Sequence, residues 1–530
     1  MTKKKKYTII LSIIGILQII FLVLVPLFSK FLVDEAEILA KTNNKDYTKL
    51  IIYIISIFST VILAIIFKII YNQLYSVFSL RRDKELKDWL YKNIIKTELK
   101  EIKKYSSGEI EQLFHEDIRN IIKVELDTIP NIIRQLSRLL LSTIMLIYID
   151  WKFLIFIILC GLLGFSFAKI YSKIIKPRHK KVLEADGYAN SFLVESFNQM
   201  KLIQSYDSYD RFKDKYMDLN DNAIKAKRKR NNIIYGANSG IFAFTNLIYV
   251  LALCYGAFFI AKGNITYGSL FALIQLLNNI QNPLLSMSPL FNYLSLGNIS
   301  STRISNMASM DKNLDSDIDD FDSILFDNVS FSYDNETYVI KDLNLNINKN
   351  DIVLFSGQSG IGKTTLFMLL LGFYKPTKGN IYVIWGEKKI EISSSTRNLF
   401  SYVPQENMIF KGTIYENLNI LTGKNKDEII NALKLSNVYD DILKLEKGLD
   451  TILNEKGSGL SLGQIQRILI ASAILRDKPI FLLDEFSSAL DENNENIIIN
   501  NLTKLDKTII YISHRKKQIN GEKIINLENK

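Results

Sequence analysis

The sequence is poor in the residues that build metal centres and disulfide frameworks. Its 530 residues include only two cysteines and three histidines. Cys160 and Cys254 both lie in apolar runs, so neither a disulfide framework nor a zinc site is expected. Three scattered histidines also exclude a histidine-rich metal site. The chemistry of this chain must therefore depend on other residue types.

A cleavable signal peptide is missing as well. Four lysines at 3–6 precede an apolar stretch from Tyr7 to about Phe31, which is long enough to span a bilayer, whereas a signal peptide has a shorter apolar core and a small-residue cleavage site. Hydrophobic residues make up 48% of the chain, which is high for a soluble protein. The hydropathy pattern predicts six membrane-spanning helices, at about 8–31, 50–72, 130–149, 152–172, 240–261 and 267–290.

The net charge of +11 is unevenly distributed among the segments that join these spans. Lysine and arginine concentrate in the long segments between spans two and three and between spans four and five. The other connections, 33–49, 150–152 and 262–267, are short. By the positive-inside rule, both termini and both long segments are expected in the cytoplasm of a cell-membrane protein. The charge therefore indicates topology, and no nucleic-acid partner is expected.

The two long segments have helical spacing of apolar residues and lack clusters of proline and glycine. We expect the spanning helices to continue into the cytoplasm, with one break in each segment, at 105–109 and at 204–212. Ser106 or Ser107 can cap the helix after the first break, with Glu109 and Glu111 in its first turn. From these residues alone, the breaks are either ordinary turns or short helices that dock into a partner domain.

Polar side chains also occur inside the spans. Span six places four amides on one helix face, which should point to a water-filled cavity or to a neighbouring helix. These amides are Gln275, Asn278, Asn279 and Asn282. Arg134 and Arg138 lie one turn apart near the inner end of span three, where we expect them to extend to the cytoplasmic interface; the alternative is that they face the same cavity.

The composition changes after Ser300. Six aspartates lie between Asp311 and Asp322 in a stretch without apolar periodicity, which predicts a linker at about 305–322. The linker would separate a helical membrane domain, 1–304, from a second domain, 323–530. In the second domain, apolar strand candidates alternate with helical stretches, which is typical of an α/β fold.

The second domain contains a P-loop in its required setting. Residues 352–355 predict a buried strand, Gly357-x-x-x-x-Gly362-Lys363-Thr364 follows, and an apolar helix then runs to Leu371. The glycines allow backbone N–H groups to turn toward phosphates, and the helix adds its positive end. Lys363 would reach the β- and γ-phosphates, while the Thr364 hydroxyl would hold Mg²⁺.

Further motifs surround this loop. A buried strand, Ile480–Glu485, ends in two adjacent carboxylates: Asp484 suits Mg²⁺, and Glu485 suits a general base for an attacking water. The others are Tyr333 at the end of an early strand, Gln405 after the strand Phe400–Val403, Ser461 at a helix cap, Asp491 in a loop, and His514 after the strand Thr508–Ile512.

Seven motifs in this order resemble those of an ATP-binding cassette (ABC) exporter of the half-transporter type, over nearly the whole chain. The resemblance implies ATP and Mg²⁺ as ligands, with Thr364, Gln405 and Asp484 around the metal and Glu485, Gln405 and His514 in hydrolysis. It also implies that the two breaks are coupling helices. The implied nucleotide-binding residues are Tyr333, Gly357, Gln358, Ser359, Gly360, Ile361, Gly362, Lys363, Thr364, Thr365, Ser461, Gly463, Gln464 and Asp491.

The resemblance further implies a dimer with a second half-transporter, identical or related, and ATP held between the Walker A loop of one subunit and the signature motif, 460–464, of the other. Two features depart from the family. Leu462 replaces the usual glycine of the signature, and we expect near-normal function unless that position needs a positive φ or a close approach. Only residues 515–530 follow His514, which puts tail-mediated dimer contacts in doubt.

The function so implied is ATP-driven export of a peptide or amphipathic compound across the cytoplasmic membrane. A multidrug or lipid exporter is the alternative, and a non-transporting, ATP-dependent membrane regulator is a further one. Because no peptidase domain precedes span one, a leader-cleaving exporter is not expected. The six spans disfavour a soluble nucleic-acid ATPase.

Overall fold

A computed structural model of the protein describes residues 2–42, 46–314, 318–334, 336–358, 360–406, 408–454, 459–513 and 521–527; the side chains at 2–4, 159–169, 172, 285, 288 and 289 are outside this description. The chain divides into two compact units. The first contains Met1–Leu90 and Ile110–Asn306, and the second contains Tyr91–Glu109 and Met307–Lys530.

The first unit is built from long helices. The described helices of residues 2–308 are α1 (Thr2–Thr42), α2 (Thr48–Ile94), α3 (Leu99–Ile102), α4 (Ser107–Gln112), α5 (Ile118–Lys123), α6 (Ile129–Asn198), α7 (Met200–Ser205), α8 (Tyr209–Ala261) and α9 (Tyr267–Ala308). Of these, α3 belongs to the second unit. Two π-helical turns, Leu113–Asp117 and Val124–Thr128, join α4, α5 and α6. The helices α1, α2, α6 and α8 extend beyond the predicted spans, as the helical spacing of the long segments predicts, and their position relative to a membrane stays a prediction.

Four of the described helical stretches are long and apolar enough to cross a membrane. They are Lys5–Thr42, Thr48–Ile94, Ser107–Ile158 and Tyr209–Ala261. All six predicted spans lie within helices, since α6 contains the third and fourth and α9 contains the sixth. The count of six spans stays a prediction.

A kink in α6 separates its two predicted spans. Asp150 has a non-helical backbone, with φ −159° and ψ 102°. Its carboxylate accepts hydrogen bonds from the Lys152 backbone N–H at 2.9 Å and from the Tyr255 hydroxyl at 2.8 Å. The kink lies where the sequence predicts the turn at 150–152, and these two bonds explain why the chain bends there.

Both predicted breaks in the long segments occur. Ser106 and Glu109 form a capping box, in which the Ser106 Oγ accepts from the Glu109 N–H at 3.2 Å and the Glu109 carboxylate accepts from the Ser106 N–H at 2.8 Å. The helix that begins at this cap is not a separate short helix, because it continues toward α6. The short helix of this segment is α3, which lies before the cap. In the second segment the short helix is α7, followed by a turn before α8.

The arginines of span three point into the helix bundle, contrary to the expectation that they extend to the cytoplasmic interface. Arg138 donates a 2.5 Å hydrogen bond to the side chain of Asn279 on α9. The Arg134 guanidinium lies 5.4 Å from the centre of the Tyr71 ring. An amide oxygen and an aromatic face inside the bundle thus replace the water that the cytoplasmic interface would offer.

The predicted amide face of span six is divided. Asn279 is only 7% exposed and faces the bundle, whereas Asn278 and Asn282 are exposed on α9. The hydrogen bond from Arg138 on α6 therefore accounts for Asn279 alone. Asn278 and Asn282 remain on the exposed surface of the first unit.

The second unit contains two larger sheets and a cluster of helices. Its strands are β1 (Ser323–Ser332), β2 (Tyr338–Asn348), β3 (Ile352–Ser356), β4 (Lys378–Trp385), β5 (Lys388–Glu391), β6 (Phe400–Val403), β7 (Gly412–Thr413), β8 (Ile452–Leu453), β9 (Ile480–Asp484), β10 (Thr508–Ile512) and β11 (Lys523–Asn526). Its helices are α10 (Lys363–Leu370), α11 (Ile414–Thr422), α12 (Lys426–Leu435), α13 (Tyr439–Leu443), α14 (Leu462–Arg476) and α15 (Glu492–Thr503), with 3₁₀ turns at Ser394–Leu399 and Gly448–Asp450.

The central sheet is parallel and places the functional loops at one edge. Its strand order is β11-β3-β10-β9-β6. Ile512 of β10 is in register with Phe355 of β3 on one side and with Asp484 of β9 on the other. The carboxyl ends of these strands therefore meet at one edge, where open α/β sheets bind ligands. The second sheet, β2-β1-β4-β5, is antiparallel and shares a core with α10 and the parallel sheet.

Both ends of the predicted linker at 305–322 belong to folded elements. α9 extends to Ala308, and Ile318 and Phe321 are buried in the core of the second unit. The exact boundary between linker and domains stays a prediction.

Candidate active site

The P-loop connects β3 to α10 as predicted. The Lys363 side chain is 5% exposed, and its ammonium group donates to the carbonyls of Gly357 at 2.7 Å and Gln358 at 2.9 Å. Gly362 has φ +99°, and a Cβ there would lie 2.6 Å from the Val339 side chain, so both conformation and space require glycine. The loop thus folds back on the lysine at the N-terminal end of α10, where backbone N–H groups attract anions.

The Walker B aspartate lies beside this loop. Asp484 is fully buried, and one carboxylate oxygen accepts a 3.3 Å hydrogen bond from the Thr364 hydroxyl. The pKa of Asp484 is raised to about 6, chiefly by burial and also by the charge of Glu485. The hydroxyls of Thr364 and Tyr402 and the charge of Lys363 act to lower this pKa. Its Oδ2 is buried and has no hydrogen-bond partner within the described part of the chain. A hydroxyl and an orphaned carboxylate oxygen are hard donors of the kind that Mg²⁺ prefers, so these residues fit that ion.

Glu485 follows β9 in a left-handed conformation, with φ +45°. Such a conformation costs a non-glycine residue roughly 1–3 kcal/mol and is concentrated at functional sites. Its N–H donates to the Ile512 carbonyl at 3.2 Å, and its carboxylate accepts from the Gln405 amide at 2.6 Å. The backbone turn therefore directs the side chain toward the residue that follows β6.

Tyr333 contributes an aromatic surface at the end of β1. Its ring is 58% exposed, and its hydroxyl lies 3.1 Å from the Thr365 hydroxyl. The rings of Phe331 and Tyr374 meet it edge-on, at 4.9 and 5.5 Å between centroids. These two rings hold Tyr333 while leaving its surface open for a base.

The predicted capping role of Ser461 is confirmed at the start of α14. The Ser461 hydroxyl accepts from the Gln464 N–H at 3.2 Å, and the Gln464 side chain accepts from the Ser461 N–H at 2.9 Å. This capping box leaves other N–H groups of the first turn available for an anion.

The loop at 488–491, called the D-loop here, packs directly against this helix. Gln466 is 4% exposed, donates to the Ser488 hydroxyl at 3.0 Å and accepts from the Ala489 N–H at 3.2 Å. Asp491 caps α15 by accepting from the Asn494 N–H at 2.8 Å, and the bonds from Asn494 lower the pKa of Asp491. Signature helix and D-loop therefore form one hydrogen-bonded piece.

A surface cavity of about 400 Å³ lies between these two elements. It is lined by Ser461, Leu462, Gly463, Arg467, Ala489, Leu490, Asp491 and Asn494. Among the described residues, none from the P-loop or from the strand that ends at Asp484 lines it. One chain thus carries two anion-binding surfaces that share no side chain.

The structure explains which signature position needs glycine. Leu462 lies in the first turn of α14 without a positive φ, and its side chain is 59% exposed. By contrast, a Cβ at Gly463 would lie 2.7 Å from the Ala489 carbonyl oxygen of the D-loop. Close approach within the chain therefore demands glycine at 463, while position 462 has neither a positive φ nor a buried side chain; near-normal function with Leu462 stays a prediction.

The contacts bring most of the predicted residues into two groups. Lys363, Thr364, Asp484, Glu485 and Gln405 form the first, with Tyr333 and Thr365 beside it. Ser461, Gly463, Gln464 and Asp491 form the second. Ser359 and His514 lie outside the described residues, although β10, the strand before His514, ends at Ile512 as predicted.

Three further residues were not singled out from the sequence. Gln466 joins the signature helix to the D-loop, and Tyr374 supports Tyr333. Arg467 is 8% exposed and pairs with Asp441 at 2.6 Å, which holds α14 to α13. The sequence signal for these residues was a polar or aromatic side chain within an apolar stretch. It did not identify their contacts, because the partners are 22 to 41 residues away in sequence.

Comparison with known proteins gives the same two-part architecture. The family profile described as ABC transporter transmembrane region matches residues 9–284, and the profile described as ABC transporter matches residues 340–488. An export ATP-binding/permease protein of Rickettsia bellii is 28% identical over 97% of this chain and 90% of its own length.

Two further matches differ in how much of each protein they cover. The lactococcin-A transport/processing ATP-binding protein of Lactococcus lactis is 28% identical over 77% of this chain, a match that spans 58% of that relative. The solved structure of a bacterial Atm1-family ABC exporter with ATP bound superposes with a TM-score of 0.83, at 21% identity, over 99% of this chain and 93% of that one. The latter likeness concerns the fold.

Proposed function

The chain belongs to the ABC transporter family, with membrane and ATPase domains fused as in exporter half-transporters, and we propose that it exports a peptide or amphipathic compound across the cytoplasmic membrane. The observation that carries this proposal is the cluster of Thr364, Asp484, Glu485 and Gln405 at one edge of a parallel sheet. These residue types in that arrangement serve phosphoryl transfer to water.

In this proposal each residue of the cluster has a distinct role. P-loop N–H groups and Lys363 bind the phosphates, and Tyr333 stacks on the adenine. Thr364 and Asp484 would hold Mg²⁺ with Gln405 nearby, and the ion would supply positive charge to neutralise the phosphates. Glu485 accepts a proton from the attacking water, and Gln405 orients its carboxylate. His514 would contact the γ-phosphate from the end of β10.

We infer a dimer of half-transporters from the second group of residues. Backbone N–H groups at the start of α14 form an anion site, and the cavity beside it opens at the surface, lined by Ser461, Gly463 and Asp491. A second subunit that places its P-loop against this cavity would enclose the γ-phosphate from both sides. ATP binding would then drive the two ATPase domains together, whether the partner is identical or related.

The proposed arrangement in the membrane follows from the charge distribution. Residues 1–304 form the membrane domain, and 323–530 form the ATPase domain, with both termini in the cytoplasm. The basic segments between the spans support this orientation, because lysine and arginine favour the cytoplasmic side. Closure of the ATPase domains would reach the spans through the breaks near Gly108 and Tyr206 and would switch them from inward-facing to outward-facing.

The interior of the membrane domain supports a polar or amphipathic cargo. Arg134 and Arg138 point into the bundle, and the described residues give neither of them a carboxylate partner within ion-pair distance. Exposed amides at Asn278 and Asn282 extend the polar surface. An unpaired intramembrane charge is costly and usually marks a substrate pathway. The lactococcin-A transporter among its relatives also favours a peptide cargo.

The test is ATP turnover by the full chain in proteoliposomes. Glu485→Gln should abolish turnover while ATP binding persists, since the amide cannot accept the proton. Glu446→Gln, an exposed glutamate of the same unit, serves as the matched control and should leave turnover unchanged. Equal turnover in Glu485→Gln and the parent would refute the role of Glu485, and a strictly monomeric ATP-bound protein would refute the dimer.

A further inference from the structure

One stretch between the first two long helices folds with the ATPase domain. Tyr91–Glu109, here called the corner, contains the end of α2, the short helix α3 and the cap of α4, and it clusters with Met307–Lys530. The corner connects by its own chain to the membrane-spanning part of α2. Its contacts within the second unit therefore hold the last residues of α2, and α3, against the ATPase domain.

The linker pairs with the corner through its backbone. The Glu98 N–H donates to the Asp311 carbonyl at 3.0 Å, and the Asn313 N–H donates to the Lys96 carbonyl at 2.7 Å. Lys312 adds side-chain bonds to the Asn93 carbonyl at 3.0 Å and to the Thr97 hydroxyl at 2.8 Å. We call residues 311–314 the strap. With four hydrogen bonds to the corner, the strap is more than a flexible tether.

The other side of the strap is bonded to the turn before β6. The Leu314 N–H donates to the Ser394 hydroxyl at 2.7 Å. Arg397 donates to the side chain of Asn313 at 3.3 Å. The strap thus lies between the corner and the 3₁₀ turn Ser394–Leu399, with hydrogen bonds to both.

Arg397 carries this connection to the P-loop helix. Its Nε donates to the Leu371 carbonyl at 2.8 Å, and an Nη donates to the Gly372 carbonyl at 3.3 Å. The guanidinium also stacks 4.3 Å from the Phe373 ring. These carbonyls lie at the C-terminal end of α10, where a cation is favoured by the helix dipole. The N-terminal end of the same eight-residue helix carries Lys363 and Thr364.

A second contact reaches the base side of the site. The Lys103 ammonium group in the corner lies 3.3 Å from the Tyr374 hydroxyl and 5.7 Å from the centre of its ring. Tyr374 packs edge-on against Tyr333. The corner therefore touches both sides of the nucleotide site: the aromatic support of Tyr333 directly, and the end of α10 through the strap.

We propose that Arg397 is a positioning residue and that, through the strap, it transmits the position of α10 to the corner within a single chain. Phosphates that bind at the N-terminal end of α10 shift or stiffen this short helix as a unit. Its C-terminal carbonyls pull on Arg397, which holds Asn313, and the strap holds Lys96, Thr97 and Glu98. This inference rests on the proposed binding of ATP at the P-loop.

The test is hydrogen exchange of the full chain in nanodiscs, with and without Mg-ATP, in a Glu485→Gln background that retains ATP. ATP should slow exchange in peptides covering 93–103 by about three- to tenfold, the effect of one added hydrogen bond. Asn313→Ala with Lys312→Met should reduce that change in the corner at least about twofold, because it removes the bond from Arg397 to Asn313 and the side-chain bonds of Lys312 while the two backbone bonds remain. The Glu485→Gln parent and the strap variant should both keep the ATP-dependent protection of 360–371.

Asn346→Ala with Lys349→Met is the matched control, because both residues are hydrogen-bonded on the surface of the same unit, away from the strap. Arg397→Lys, which keeps the charge but loses the planar fork, should behave like the strap variant. The relay is overturned if the strap variant retains the full change in the corner, or if the parent shows none while 360–371 is protected. Absence of protection at 360–371 would instead refute ATP binding itself.

Discussion

Gln405 donates a 2.6 Å hydrogen bond from its side-chain amide to the carboxylate of Glu485. The two residues follow neighbouring parallel strands, β6 and β9, so the sheet itself brings them together. Glu485 reaches this position through a left-handed backbone turn. Glutamine and strained glutamate thus form one unit, in which the amide fixes the orientation of the proposed base.

Replacing Gln405 by leucine should lower ATP turnover about tenfold or more, because a hydrogen bond to a charged group contributes roughly 1.5–3 kcal/mol. ATP binding, measured with a fluorescent analogue, should change little, since the P-loop is untouched. Gln112→Leu is a suitable control, because Gln112 also donates to a glutamate but lies on α4 in the first unit. Unchanged turnover in Gln405→Leu would contradict an orienting role.

The two central signature positions should respond differently to substitution. Gly463→Ala should reduce turnover at least about tenfold, because the new Cβ would meet the Ala489 carbonyl at 2.7 Å and displace the D-loop. Leu462→Ala should stay within about threefold of the parent, since an exposed side chain contributes little to packing. Similar losses in both variants would show that Leu462 itself contacts the nucleotide or the partner.

The sequence predicted the parallel sheet well for a physical reason. Strands buried on both faces read as continuous apolar runs; β6 and β10 begin and end at the predicted residues, and β9 ends at Asp484, one residue before the predicted end at Glu485. The P-loop could be predicted because phosphate binding requires its glycines and lysine at fixed positions along the sequence. The capping boxes at Ser106 and Ser461 were also accessible, since both partners lie within one helical turn.

Contacts between distant polar residues could not be predicted. The Arg138–Asn279 bond joins residues 141 positions apart, and neither residue belongs to a periodic pattern that indicates the other. The strap is a similar case, because it begins an aspartate-rich stretch that indicates a solvated linker, while its backbone pairs with Lys96–Glu98 more than 210 residues away. Nor does composition reveal that Gly463, and not position 462, packs on the D-loop.

Tyr333 offers a separate test of base stacking. Tyr333→Ala should raise the KM for ATP about 5- to 100-fold, because stacking of a base on an aromatic ring contributes roughly 1–3 kcal/mol. Tyr333→Phe should stay within about threefold of the parent, since it keeps the ring and loses only the contact between the hydroxyl and Thr365. Steady-state turnover at varied ATP concentration gives both values. Equal KM values for the alanine variant and the parent would exclude stacking.

The buried carboxylate of Asp484 should make stability depend on pH. Its pKa rises from the ordinary 3.8 to about 6 in the folded protein, chiefly through burial. Between these values the folded state binds more protons than the unfolded state, so this group lowers stability as pH rises through the window, and its cost is complete above about pH 6. Without nucleotide and with EDTA, Asp484→Asn should therefore melt about 2–6 °C above the parent at pH 7.5.

The gain should fall to about one third near pH 4.5, where the carboxyl of the folded parent is protonated while that of the unfolded chain is still mostly ionised, and it should vanish only below about pH 3.8. Thermal unfolding of the detergent-solubilised full chain measures both values. Asp506→Asn is the control, because Asp506 is exposed and its left-handed backbone accepts asparagine equally well. A melting temperature for Asp484→Asn that equals or falls below that of the parent at pH 7.5 would mean that the carboxylate is already compensated without a cation. The orphaned Oδ2 would then no longer support Mg²⁺ binding at this position.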